Sequence, residues 1–276
     1  VGFSVDRNKI SWEGWDVRVS LTPDEGVFLH ELSLNDRPIL FRAAMSDMVV
    51  PYGSADPMHS WKAVHDGTEY GFGRLSNSLT LGCDCLGEIH YFNASGISFD
   101  GSVEVIENAI CLHEEDYGIQ WKHNDGMGAP NEVRRSRRLV ISSISTIGNY
   151  DYGLFWYLYL DGTIEAEVKL TGIVGISAYN EEKHNPNQDL RISKELVSPV
   201  HQHLFCMRLD WNLDGGNNQL FESEIELMPD DDNNSYGMQF QSVSTHLKTE
   251  HEAKRDISPA TSRVWKVVNP QKKNGM

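Results

Sequence analysis

The chain has 276 residues, with 24 Lys+Arg against 40 Asp+Glu and a formal charge of −16, an acidity that argues against nucleic acid as a partner. Hydrophobic residues make up 39% and charged residues 23%, which excludes disorder over most of the length and supplies a sizeable core. The longest apolar stretches, such as residues 154–160, fall far short of the roughly 18 to 20 residues of a membrane span.

In chain order the pattern is strand, turn, strand. Residues 12–21 alternate around Val17 and Val19, residues 26–34 carry Val27, Leu29 and Leu32, and Asn35-Asp36-Arg37-Pro38 turns the chain into Ile39-Leu40-Phe41. Further strands are predicted over 79–81, 102–112, 118–122, 139–147, 154–160, 163–170, 172–179, 204–213, 219–227 and 237–247, rich in Val, Ile, Thr and aromatics. Asp161-Gly162 predicts a two-residue hairpin of type I′. Residues 214–218 and 229–235, with Asp230-Asp231-Asp232, read as exposed loops, and only 251–255 suggests a short helix. The fold class is all-β, a large sandwich read as one domain over 1–276. Val1-Gly2-Phe3-Ser4 carries no leader pattern. With no initiating Met and a polar end, the chain reads as a piece of a longer protein. Its compartment is left open, with cytoplasm slightly preferred.

Cys83, Cys85, Cys111 and Cys206 lack the spacing of a structural zinc site. If 82–86 is a strand, Cys83 and Cys85 share a face, so at most one pairs with a neighbouring strand; four reduced thiols fit equally. His201-Gln202-His203 precedes an apolar run. On a strand, residues i and i+2 share a face, so both imidazoles could reach one metal. Spacing alone fits copper, zinc, iron or nickel, or an ordinary strand with two solvated histidines. Thr146-Ile147-Gly148-Asn149-Tyr150-Asp151-Tyr152 reads as a turn between strands with two packing aromatics.

That heptad also resembles the cofactor consensus Thr-x-x-Asn-Tyr-Asp/Glu-Tyr of the copper-containing amine oxidases. Similar family segments follow one another in register: Met48-Val49-Val50-Pro51-Tyr52-Gly53, Leu81-Gly82-Cys83-Asp84-Cys85-Leu86-Gly87, Ile110-Cys111-Leu112-His113-Glu114-Glu115-Asp116, Tyr157-Leu158-Tyr159-Leu160-Asp161-Gly162-Thr163-Ile164, the His201/His203 pair, and Trp265-Lys266-Val267-Val268-Asn269-Pro270. The resemblance covers nearly all of the chain and corresponds to the first part of the family's catalytic β-sandwich. On that resemblance, the family's preceding α/β domains and its C-terminal remainder would lie outside this sequence.

The resemblance implies a primary-amine oxidase that releases aldehyde, ammonia and hydrogen peroxide. Tyr150 would be the precursor of topaquinone, Asn149 would hold the ring's orientation, and the Tyr52 phenol would hydrogen-bond a quinone oxygen. Asp66, in His65-Asp66-Gly67-Thr68-Glu69-Tyr70, would be the base that removes the substrate's α-proton. That task calls for a pKa raised by a dewatered channel. As a bare residue Asp66 reads as a turn aspartate. His201 and His203 would be two of three copper ligands, with the third His outside this chain, so the isolated chain is expected to be inactive or nearly so. Asp210 would contribute to a second, calcium-like site. Cys85 and Cys111 would form a disulfide, leaving Cys83 and Cys206 as thiols. Primary amine and O₂ would be the substrates, a homodimer the assembly, with no nucleic-acid or membrane partner. Amine preference would depend on residues near Val64.

The remaining histidines, including His30, His59, His90, His113, His123, His184, His246 and His251, read as surface or hydrogen-bonded residues. No dinucleotide fingerprint, Walker A loop, HExxH or GxSxG elbow is present. Arg134-Arg135-Ser136-Arg137-Arg138 reads as a solvated strand entry or subunit contact. A glycosylation sequon at Asn93-Ala94-Ser95 would matter only in a secreted eukaryotic protein. Two other readings use parts of the same material. A cupin-like barrel would explain the His pair but lacks the Glu expected soon after His203. A non-catalytic sandwich, binding carbohydrate through Trp61, Trp121, Trp156 or Trp211, is the other.

Overall fold

A computed structural model describes residues 2–54, 57, 59, 62, 65–98, 100–126, 128 and 131–273. Five strands open the chain: β1 (Phe3–Asp6), β2 (Lys9–Trp12), β3 (Trp15–Thr22), β4 (Gly26–Leu34) and β5 (Arg37–Val49). A π-helical turn, Gly67–Gly71, leads to β6 (His90–Ile97), β7 (Val103–His123), β8 (Glu132–Ile147), β9 (Tyr150–Tyr159) and β10 (Ile164–Gly172). Three short strands follow, β11 (Ser177–Ala178), β12 (Asp189–Arg191) and β13 (Leu196–Pro199), then β14 (Leu204–Trp211), β15 (Gln219–Leu227), β16 (Phe240–Leu247) and β17 (Val264–Val268). The sheets are ordered β1-β2-β3-β4-β5-β14, β10-β9-β8-β7-β6, β11-β13-β12 and β16-β15-β17. The expected all-β class holds.

The chain forms two compact units, the first comprising residues 1–36 and 42–209, the second 37–41 and 210–276. In the first, the two large sheets pack face to face. Strand β3 buries alternate residues, Trp15, Val17 and Val19, as period-2 patterning requires. Strand β9 is an interior strand of its sheet, flanked by β10 and β8, and is buried over most of its length. Two tryptophans tie the sheets: Trp15 Nε1 donates to the Tyr159 carbonyl at 2.8 Å and Trp12 Nε1 to Glu114 at 2.6 Å. The second unit is built on β15, whose buried Glu222 lies 3.3 Å from Arg255 and 3.4 Å from Arg263.

Several local expectations change. The run 12–21 is broken by a turn at Glu13 and Gly14, both at positive φ. Residues 102–112 and 118–122 belong to one long strand, β7. Residues 79–81 and 82–86 are not strands. Residues 80–85 close a tight turn in which Cys83 and Asp84 donate to the Thr80 carbonyl, so the same-face argument for Cys83 and Cys85 does not apply. The β9–β10 hairpin has positive φ at Gly162 only, and Gly162 N–H returns to the Tyr159 carbonyl. That is a type I turn closed by a left-handed glycine, not type I′. Most of 172–179 is irregular, and residues 249–254 form turns, not a helix. Among the described residues no helix is long and apolar enough to cross a membrane.

The arginine cluster is resolved as cross-strand pairing. Across the β7–β8 ribbon Arg138 pairs with Glu115, Arg135 with Asp116 and Arg137 with Glu114, while Arg137 also reaches Glu13 in the β2–β3 turn and Arg134 pairs with Glu132 along its own strand. Trp156 is buried in the core, which removes it from any surface platform for sugar, and Trp61 and Val64 lie outside the described residues. Replacing Trp15 with Phe keeps an aromatic in the sandwich but deletes its hydrogen bond to Tyr159. The expected cost is about 1–3 kcal/mol of stability, read as a lower urea midpoint.

Candidate active site

Four stretches of the first unit converge on one cavity. The β8–β9 hairpin turns on Gly148 (φ +64°) and Asn149, with Ile147 opposite Tyr150. Positive φ at the first central position alone is the type II′ pattern. The turn makes Tyr150 the first residue of β9. Thr146 and Asp151 clamp it, with the Thr146 hydroxyl 2.5 Å from the carboxylate. On a strand Tyr150 and Tyr152 share a face. Gly172, at φ +102°, is opposite Tyr150, where a Cβ would come within 2.6 Å of the Asn149 carbonyl and 2.8 Å of Tyr150 Cα. Only glycine fits there.

Residues 51–53 pair with 200–202: Gly53 N–H donates to the Val200 carbonyl at 2.8 Å, Gln202 N–H to Pro51 at 3.2 Å, and Tyr52 is bridged to His201. The Tyr52 ring stacks on His201 at 4.7 Å and on His59 at 5.7 Å. The histidine pair lies just before β14 and not on it, contrary to the strand expected for it. The rings converge nonetheless, with centroids 5.0 Å apart. Each is anchored through Nδ1, His201 on the Pro199 carbonyl at 2.8 Å and His203 on the Tyr152 phenol at 3.2 Å. Such anchoring of one ring nitrogen is how metal-binding histidines are oriented through the other. The Tyr150 ring is 5.5 Å from both imidazoles.

Asp66 comes from the segment after β5. Val49 bridges His65, and Asp47 holds that segment by accepting from His65 Nδ1 at 2.6 Å, Met48 N–H at 2.8 Å and Thr68 N–H at 3.2 Å. Asp66 caps the π-helical turn without a side-chain capping bond. Its carboxyl lines a cavity of about 230 Å³ together with Tyr52, Lys62, Tyr70, Asn149, Tyr150 and Tyr152. Burial, then the carboxylates of Glu69 and Asp47, push its pKa up to about 6. Burial, with Tyr150 and Asp66 nearby, pushes the Tyr52 phenol up to about 12, and burial raises Tyr152 as well. Burial, then His201, lowers His203, which favours the neutral imidazole a metal needs.

The sequence-predicted Asp66, Tyr52, Asn149, Tyr150, His201 and His203 thus lie together in one unit. Asn149 is exposed, and its side-chain amide donates to the Ile173 carbonyl. Two residues on, Gly175 N–H donates to the Tyr150 phenol at 3.1 Å. Asn149 and the Tyr150 phenol thus bond to the same segment, 173–175. Among the described residues no group of three His, Cys, Asp or Glu converges as a metal site. Asp210 is exposed on β14. Cys85 and Cys111 are thiols here, packed in one buried cluster with Leu79. Burial and the contact with Cys85 raise the Cys111 thiol. Sequence reasoning missed Tyr152, which the i+2 rule would have found, and also His59, Lys62 and Gly172, whose positions depend on tertiary contacts.

The folded pKa of Asp66, about 6, lies above its ordinary 3.8, so protonation favours the fold. This stabilisation is complete below about pH 4 and lost as pH rises through 6. Asp66→Asn should therefore gain stability over the parent between pH 5 and 8 and match it near pH 4, measured as urea midpoints across pH.

Residues 4–276 match the family model described as copper amine oxidase, enzyme domain. The chain is 46% identical over 280 residues to a histamine oxidase of Arthrobacter globiformis, covering 99% of this chain and 40% of that protein. It is 40% identical over 281 residues to the peroxisomal copper-containing diamine oxidase 1 of Nicotiana tabacum, covering 99% of this chain and 36% of that one. Its fold matches a crystal structure of a copper-containing benzylamine oxidase from Hansenula polymorpha with a TM-score of 0.91 and 32% identity, over 98% of this chain and 42% of that one. The chain spans about two fifths of the length of these relatives. The site geometry and these matches agree: this chain belongs to the copper amine oxidase family and lies within its enzyme domain.

Proposed function

We propose that this chain is part of the catalytic domain of a primary-amine oxidase, converting amines, O₂ and water to aldehydes, ammonia and hydrogen peroxide. The observation that carries the reading is the placement of Tyr150, 5.5 Å from two anchored imidazoles, in a cavity that also holds a carboxyl tuned to about 6. His201 and His203 would hold copper, with a third His from elsewhere in the full-length protein. Copper would supply, with O₂, the oxidation that turns the Tyr150 ring into topaquinone, an electron-poor centre that draws electrons from the substrate's α-carbon.

The chain's own residues account for the rest. Asp66 is ionised at neutral pH yet basic enough to take the α-proton, because its cavity disfavours the charge. Tyr52, with its phenol near 12, stays protonated and donates a hydrogen bond toward the ring oxygens of residue 150. Asn149 and Gly175 hold that residue's orientation through segment 173–175. Tyr152 fixes the His203 ring.

Family resemblance supports three further features. Cys85 and Cys111, neighbours in one cluster, would join as a disulfide. Asp210 would give one oxygen ligand to a calcium-like ion. The β7–β8 ribbon, with Tyr117, Ile119, Trp121 and Val133 exposed, would reach across a homodimer.

The test is the mass of the proteolytic peptide containing Tyr150, before and after aerobic incubation with Cu(II), in this chain and in the full-length protein. The expected result is a gain of two oxygens and a loss of two hydrogens, confined to Tyr150 and to the full-length protein. No change in either sinks the reading, and modification in this chain alone removes the need for the third His.

A further inference from the structure

The cavity holds one charge that the chemistry above leaves unused. Lys62 lines it together with Tyr52, Asp66 and Tyr150. Its backbone N–H donates to the His59 carbonyl at 3.0 Å, and its half-buried side chain sets the ammonium 5.4 Å from the centroid of the Tyr52 ring. The aromatic face holds the cation inside the cavity. The charges that act most on Asp66 are carboxylates, Glu69 and Asp47, so Lys62 does not serve as its counter-ion. The other walls include Val50, Leu75 and Ile147, which offer no charge.

A primary amine arrives as an ammonium ion, and its own charge is drawn to Asp66. Whatever trails behind it meets uncharged wall and, among the described lining residues, one cation, Lys62. A second positive charge on the substrate then shares with Lys62 one partly dewatered cavity, where like charges repel more strongly than in bulk water. We propose that Lys62 sets the substrate class of this cavity, admitting monoamines with an uncharged apolar body and working against amines with a second positive charge. This rests on the amine-oxidase reading of the same cavity.

n-Pentylamine and 1,4-diaminobutane have the same number of heavy atoms and differ by one terminal charge, so they isolate the effect. Their affinities would be measured by calorimetry on the full-length, metal-free protein, and their kcat/KM values on the copper-loaded protein, for the parent, Lys62→Gln and Lys62→Glu. The parent should favour the monoamine by about tenfold, Lys62→Gln should remove most of that preference, and Lys62→Glu should reverse it. Equal preference in all three proteins, or no binding of either amine, overturns the proposal. Calorimetry reads Lys62 while Tyr150 is still an ordinary tyrosine. A charge preference seen in binding without turnover therefore upholds Lys62 while counting against the oxidase reading.

Discussion

The site depends on a short piece of backbone pairing between residues separated by nearly 150 positions. Gly53 and Gln202 donate to Val200 and Pro51, and the two bonds bring Tyr52 against His201. The pairing extends the β5–β14 neighbourhood of the six-stranded sheet beyond the ends of both strands and so carries Tyr52 and His201 to the ring of Tyr150, which belongs to the other large sheet. The stack of His59, Tyr52 and His201 follows from it. So does the approach of His203 to Tyr152. Backbone bonds suit this task because they fix position without committing the side chains, which remain available for chemistry.

A second constraint is electrostatic. The cavity gathers Asp66 and the phenols of Tyr52 and Tyr152 where water is scarce, and burial pushes these three groups toward their neutral forms. For the phenols this leaves permanent donors. For Asp66 it produces a group that changes charge close to neutral pH, a property an exposed aspartate would lack. One environment therefore yields different roles because the ordinary pKa values start far apart. Asp47, tied to His65 and to backbone N–H groups, holds the segment in place and adds to the field that raises Asp66.

Much of this was legible in the sequence. Alternation in 12–21 and 26–34 gave the first sheet, and the heptad around Tyr150 pointed to the site through its family resemblance. The errors have local causes. Glycine or a left-handed residue at 13, 14 and 162 redirected the backbone where hydrophobic pattern was silent. The Thr80 carbonyl captured two N–H groups and curled residues 80–85 into a turn despite a strand-like composition. His201 and His203 converge without a strand, because each ring is held by its own anchor on another segment. Lys62 and His59 could not have been read in advance, since nothing in their neighbours' identities shows that they face Tyr52.

The position of Tyr150 has a consequence for how the protein can mature. It opens β9 at the rim of the sheet, half-buried, while Tyr152 two residues on is sealed in the interior. Its backbone is locked by Ile147 and Gly172 on either side, but the ring projects into open volume. Oxygen atoms added to that ring would enlarge no packed interior and displace no neighbouring strand. Under the proposed conversion of Tyr150, the polypeptide would finish folding first and acquire a new aromatic chemistry afterwards, at a position where the ring lines a cavity.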